Sequence, residues 1–439
     1  MAVFRLWRLA ARSKVNYFNK EVKMKMNLTL LPFSIAAALS AYPTLSMAEE
    51  VDAFVFSGYA RYGMAYTAGD ATTVEAAGQK AGNAAGRLGN EGNGGEFQFT
   101  KKFINADGAQ WDVAVMLDHW GDQVGLKKFY AGGSHIFEVQ PNAYIWAGRD
   151  FHQRPQQGLN DYAYMTHDGQ GGGIKGIEFG NMAKLDFGVV SQPSSGPGDN
   201  GNYAFTSKLH AINLSDSLVF SMLFNVGFSP DDPDVAADAV EAVSASANLT
   251  TGEITEAVEA SDATYAESDN SYQLAAVFDQ HWSMGGNTFI ARYAEGADNS
   301  VFTREDDLTT LYFSLEGNVK FSETMSLEYL AAYHNYDKGQ DDSLSTTNYS
   351  VISRGLYNWN SIHSTWLEAG YSLVDFDNQD ATNTAWKMTL SQNIAIDAFA
   401  NARPMLRFYV TVGDAEVEVD DATTNTDTVT LGAMFESWW

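Results

Sequence analysis

From residue 54 to residue 439 the chain is a succession of short segments in which every second residue is apolar, separated by runs of Gly, Asn, Asp and Ser. Side chains alternate between the two faces of a strand, so each segment reads as a two-faced strand. In the first, Phe54, Phe56, Ala60, Tyr62, Met64 and Tyr66 share one face, and Val55, Ser57, Tyr59 and Arg61 the other. The last sets Val429, Leu431, Ala433, Phe435 and Trp439 against Thr428, Thr430, Met434, Glu436 and Trp438. Between them, Leu406, Phe408, Val410 and Val412 oppose Arg407, Tyr409 and Thr411, while Leu311, Phe313 and Leu315 oppose Tyr312, Ser314 and Glu316. One such segment suits a soluble sandwich equally well. A long series without helical interruption predicts closure, which removes the unpaired edges of an open sheet. The expected fold is all-β: a transmembrane antiparallel β-barrel, apolar toward lipid and polar toward the lumen. Spanning strands of this kind need only about 9–11 residues each.

The N-terminal stretch has a different character. Lys20, Lys23 and Lys25 precede an apolar run from Leu28 to Leu39, and Ser46-Met47-Ala48 supplies a small-x-small exit. Residues 1–48 therefore read as a secretory signal with a long lead-in, Met24 and Met26 being alternative starts. The run is too short, and too broken by Pro32 and Pro43, for a spanning helix. Residues 49–439 are then the barrel, and the expected location is the bacterial outer membrane. Charge fits this reading. The formal net charge is −28, and the signal segment holds seven basic residues but only Glu21 among the acidic ones, so the barrel is more acidic still. Nucleic acid is excluded as a main partner. Without cysteine there are no disulfides, thiolate metal sites or cysteine nucleophiles.

Connections are uneven in length. Residues 68–95, 150–173 and 229–271 read as long loops, the second ending in a glycine run at 169–173, as expected of a barrel with long loops on one side and short turns on the other. In the acidic third loop, Asp231, Asp232 and Asp234 are candidate Ca²⁺ ligands, but a solvated loop is the preferred reading, and no metal or cofactor is expected. Gly171-x-Gly173-x-x-Gly176 has the spacing of a dinucleotide fingerprint without its strand–helix context, and reads as a glycine-rich loop. No His-Glu-x-x-His or Gly-x-Ser-x-Gly pattern occurs, so an enzyme is not expected.

Several segments, in order along nearly the whole barrel, resemble the maltoporin family of sugar-specific porins. They are Gly58-Tyr59-Ala60-Arg61, Arg87-Leu88-Gly89-Asn90-Glu91, Ile145-Trp146-Ala147-Gly148-Arg149, Phe151-His152-Gln153-Arg154, Asp161-Tyr162, Arg403-Pro404 and the terminal Trp438-Trp439. The resemblance implies an 18-stranded barrel, a homotrimer, and a loop folded inward to constrict each channel. Roughly 22 residues per strand with its connection leave room for this. It also implies facilitated diffusion of sugars or maltodextrin-type oligosaccharides along an aromatic lane. The chemistry is sound by itself, because a pyranose offers an apolar CH face to a ring and a rim of hydroxyls to polar groups. Many weak, equivalent sites let cargo slide.

Position by position, the resemblance makes Tyr59 and Trp438 lane aromatics and Arg61 a charged neighbour. It assigns Arg87, Arg154 and Asp161 to the constriction, puts Lys127 where the family has Arg, and matches Glu96 to a lane carboxylate. Trp120 falls near a tryptophan on a loop that reaches into the neighbouring subunit's mouth. Three lane aromatics are missing, at Gly94 or Gly95, at Gly286 and at Asn401, and two loop positions have become Gln156 and Ala163. Phe289 and Phe399 lie near two of the gaps, but an odd shift along a strand reverses the face. The shortened lane leaves a general diffusion porin as the alternative, ahead of a non-channel barrel serving as enzyme or adhesin.

Overall fold

A computed structural model gives the architecture. It describes residues 54–120, 123–193, 201–229, 270–339, 345–377, 381–419 and 422–439, with short fragments at 48–49, 246–248 and 253–255. The expected signal segment up to residue 47, and Asp231, Asp232 and Asp234, lie outside the described residues.

Leaving those fragments aside, eighteen strands form one sheet. They are β1 (Phe54–Thr67), β2 (Gly94–Asn105), β3 (Gln110–Trp120), β4 (Val124–Ser134), β5 (Tyr144–Asp150), β6 (Gly169–Phe179), β7 (Ala183–Ser191), β8 (Tyr203–Ser215) and β9 (Leu218–Phe228). There follow β10 (Ser271–Trp282), β11 (Gly285–Glu295), β12 (Thr309–Lys320), β13 (Met325–Asp337), β14 (Thr346–Asn358), β15 (His363–Phe376), β16 (Thr382–Ala395), β17 (Met405–Val419) and β18 (Ala422–Trp438). Each pairs antiparallel with its neighbour in sequence, and β1 pairs with β18 to close the barrel. Tyr59 stands opposite Trp438 at that seam, and Arg61 opposite Glu436.

The two faces divide as the alternation predicts. Phe54, Phe56, Tyr62, Met64 and Tyr66 are exposed on the outer wall, as are Val429, Leu431 and Phe435, whereas Thr428, Thr430 and Glu436 are buried inside. The chain end splits in the same way. The Trp439 ring packs on Phe56 and Phe97, with centroids 5.4 and 5.8 Å apart, on the lipid side. Trp438 turns into the lumen.

The glycine run corrects the loop expected at 169–173. Those residues open β6, with Gly172 opposite Ala147 on β5 and Val189 on β7. A Cβ at Gly171 or Gly173 would collide with the β7 backbone, so glycine here permits a close approach between strands. A second local departure is the bulge between β3 and β4. Met116 faces Lys128 and Leu117 faces Leu126, so Lys127 is the extra residue. The bulge re-aims it, and both lysines reach carboxylates of the inner wall: Lys127 lies 3.3 Å from Asp118 and Lys128 lies 3.5 Å from Asp150.

Where one inward loop was expected, three segments among the described residues enter the barrel. Within 68–93, Val74 and Ala76 pack on Val374, Ala385 and Ala415, and Leu88 packs near Trp366 and Met405. Within 151–168, Leu159, Tyr162 and Met165 cluster with Leu223, Val277, Ile290 and Leu330. Within 296–308, Val301 and Phe302 join Trp146 and Val190. Full burial of a Leu or Met side chain contributes roughly 1.5–3 kcal/mol, which holds the loops against the wall. Polar ties add to this. Asn160 Nδ2 donates to the Gly82 carbonyl at 2.8 Å, Asn299 Nδ2 to the Ala163 carbonyl at 3.1 Å, and the Glu316 carboxylate accepts from the Gly158 and Leu159 amides, both at 2.9 Å.

Candidate functional site

Strand alternation aims Tyr59 and Arg61 inward from β1, Glu96 from β2 and Trp120 from the end of β3. Together with Arg87, Arg154 and Asp161 from the inward loops they line one cavity of about 890 Å³. The Tyr59 and Trp120 rings stack 6.4 Å apart at 29°, and the Arg61 guanidinium lies 5.1 Å from the Trp120 ring. Trp120 therefore sits over its own chain's Tyr59 and Arg61. The absent aromatic at Gly94 belongs to the same arrangement, since a Cβ there would fall inside the Trp120 indole. A ring has been replaced by room for another ring.

Charged groups rim the stacked pair. Asp161 accepts from Arg61 Nη1 at 3.0 Å and from Gln156 Nε2 at 2.6 Å, and lies 3.9 Å from Arg87. Arg87 Nη2 donates at 2.6 Å to the Tyr59 hydroxyl and at 2.6 Å to Glu436, to which Tyr59 itself donates at 3.0 Å. Burial works against the Arg87 charge, but Glu436, Tyr59, Asp161 and Glu91 outweigh it and hold the group above its ordinary pKa. Arg154 pairs with Asp168 at 2.9 Å and lies 4.5 Å from the Phe151 ring. Burial also raises the Asp168 pKa against the pull of Arg154.

Trp438 lines the next cavity, of about 620 Å³, with Arg403 at 4.1 Å over its ring. Arg87 and Gly158 border both cavities. Gly286 and Asn401 line this second chamber without a ring. Phe289 projects from the outer wall, and Phe399 lies exposed in the β16–β17 turn, so neither replaces them. Lys127 stands apart from the others, in a third cavity of about 340 Å³ with Asp168 and Phe151. It does not line the 890 Å³ cavity.

Residues 54–439 match the LamB porin family. The chain belongs to that family. It is an outer-membrane porin, a channel and not an enzyme. Among solved structures the porin is similar to outer-membrane-expressed OmpT of Vibrio cholerae, at 10% identity over 88% of this chain and 97% of that one, with a TM-score of 0.45. It is likewise similar to Pseudomonas aeruginosa OpdQ, at 11% identity over 88% and 99% of the two chains, with a TM-score of 0.43.

Some of the porin's site was not picked out from sequence. Glu436 is its hub: besides Arg87 and Tyr59 it accepts from Arg403 at 2.8 Å and Arg407 at 3.2 Å, and Arg407 turns its other nitrogen to Glu91 at 2.6 Å. Alternation does place Glu436 and Arg407 inward. Nothing local indicates that one carboxylate gathers three guanidinium groups from separate segments.

Proposed function

We propose that the porin carries sugars and short oligosaccharides across the outer membrane by facilitated, saturable diffusion, as a homotrimer. The observation that carries this reading is the stacked Tyr59–Trp120 pair inside a cavity whose rim alternates guanidinium and carboxylate groups. An apolar sugar face lies on the rings while its hydroxyls exchange partners among Arg61, Arg87, Asp161 and Glu96. Arg61 and Arg87 are already paired with Asp161, so a sugar borrows hydrogen bonds that reform behind it, which favours sliding over trapping. With Trp120, Tyr59 and Trp438 as lane rings, and none at Gly286 or Asn401, cargo of two or three sugar units is preferred over long maltodextrins. In planar bilayers, sugar added to the reconstituted channel should reduce the current in a saturable way. The lack of a ring at Gly286 and Asn401 in the second chamber favours one other reading, a general diffusion porin. That reading expects permeation linear in sugar concentration, with no blockade.

A further inference from the structure

We propose that Phe151 is a loading subsite for sugar at the threshold between the outer vestibule and the constriction, an inference that rests on the sugar reading above. Among the described residues, Phe151 alone borders both the 340 Å³ cavity and the 890 Å³ cavity. The smaller cavity is walled by Thr166, Asn299 and Phe302 of the inward loops. Cargo passing from one space to the other crosses the Phe151 ring. That ring sits at the foot of the 151–168 loop, directly after β5, on a segment fixed at both ends. The His152 carbonyl accepts from the His167 amide at 3.0 Å, and the His152 imidazole meets the Thr206 hydroxyl.

The chemistry around the ring suits a pyranose. Arg154 lies 4.5 Å from the ring centroid and Lys128 4.8 Å. Their charges are answered by Asp168 at 2.9 Å and Asp150 at 3.5 Å, so the threshold is donor-rich without being an open anion trap. The arrangement repeats that of Trp120 with Arg61 and Trp438 with Arg403, each a ring with a guanidinium over it. Phe151 thus extends the lane outward by one ring.

The test compares the unaltered channel with Phe151→Ala and Phe151→Tyr in planar bilayers, measuring blockade constants for glucose and for a linear glucose trisaccharide. A trisaccharide spans the threshold and the inner rings together, so Phe151→Ala should raise its constant roughly three- to tenfold, the equivalent of one lost ring contact. Glucose held on Tyr59 and Trp120 should be unaffected, as should sugar-free conductance, and Phe151→Tyr should restore the trisaccharide value. An unchanged trisaccharide constant in Phe151→Ala overturns the proposal. So does an equal shift for both sugars, which marks a structural collapse of the loop. No blockade of the unaltered channel by any sugar overturns the sugar reading and this subsite together, whereas failure of the subsite alone leaves the unaltered channel blocked.

Discussion

Removing the charge of Glu436 tests whether the polar lining is one coupled structure. The Glu436 side chain is 3% exposed, and Arg403 and Arg407 beside it are 4% and 2% exposed. Glu436→Gln keeps the shape but leaves Arg87 and Arg403 without their nearest counter-charge, and Arg407 with Glu91 alone. Deleting one partner of a buried ion pair costs about 3–5 kcal/mol, because the remaining charges stay out of water. Part of that is recovered here, since Gln still accepts a hydrogen bond and the lumen admits water, so a loss of roughly 2–4 kcal/mol is expected. Urea unfolding in lipid vesicles reads this as a lower midpoint at unchanged slope. The same variant adds net positive charge to the passage, so reversal potentials in a salt gradient should move toward anion preference. A midpoint within the equivalent of about 0.5 kcal/mol of the unaltered protein, the usual scale for an exposed site, with an unmoved reversal potential, would refute the hub.

Other expectations follow from the same geometry. Gly94→Ala should reproduce the blockade defect of Trp120→Ala, since both remove the indole from its place over Tyr59; the assay is sugar titration of channel current, with a loss of roughly three- to tenfold for each. The two terminal residues should separate: Trp438→Ala weakens sugar blockade while leaving assembly intact, and Trp439→Ala slows folding into vesicles, seen by gel mobility, while leaving blockade intact. Burial lowers the pKa of His152 to about 4 and that of His167 to about 3, against an unfolded value of about 6.5. Both are neutral in the packed loop, so the loop's stability is full above pH 6.5 and is lost as pH falls from there toward 4. Current noise from loop opening should rise over that interval, and His167→Gln should flatten the rise.

Most of the barrel was legible because lipid and lumen impose opposite chemistry on alternate residues. That rule placed Tyr59, Arg61 and Trp438 inward and Trp439 outward. It did not extend to the glycine run in β6, where residues without side chains carry no alternation and look like loop; their strand character comes from the close approach of β5 and β7. Nor could it show the inward loops, since the wall residues that bury Leu88, Leu159 and Val301, such as Met405, Leu330 and Trp146, are distant from them in sequence. The position of Trp120 depends on the space above Gly94, and that of Lys127 on a one-residue bulge. Both are set by register, which only the paired strands reveal.

The central claim, that a short ring-and-charge lane binds sugar during passage, is tested most directly by current blockade across glucose, sucrose and maltodextrins of rising length. Saturable blockade should tighten from one sugar unit to two or three and then level off, as the rings are used up. Blockade that keeps tightening well beyond three units would contradict the short lane, and a current unaffected by every sugar would contradict sugar binding itself.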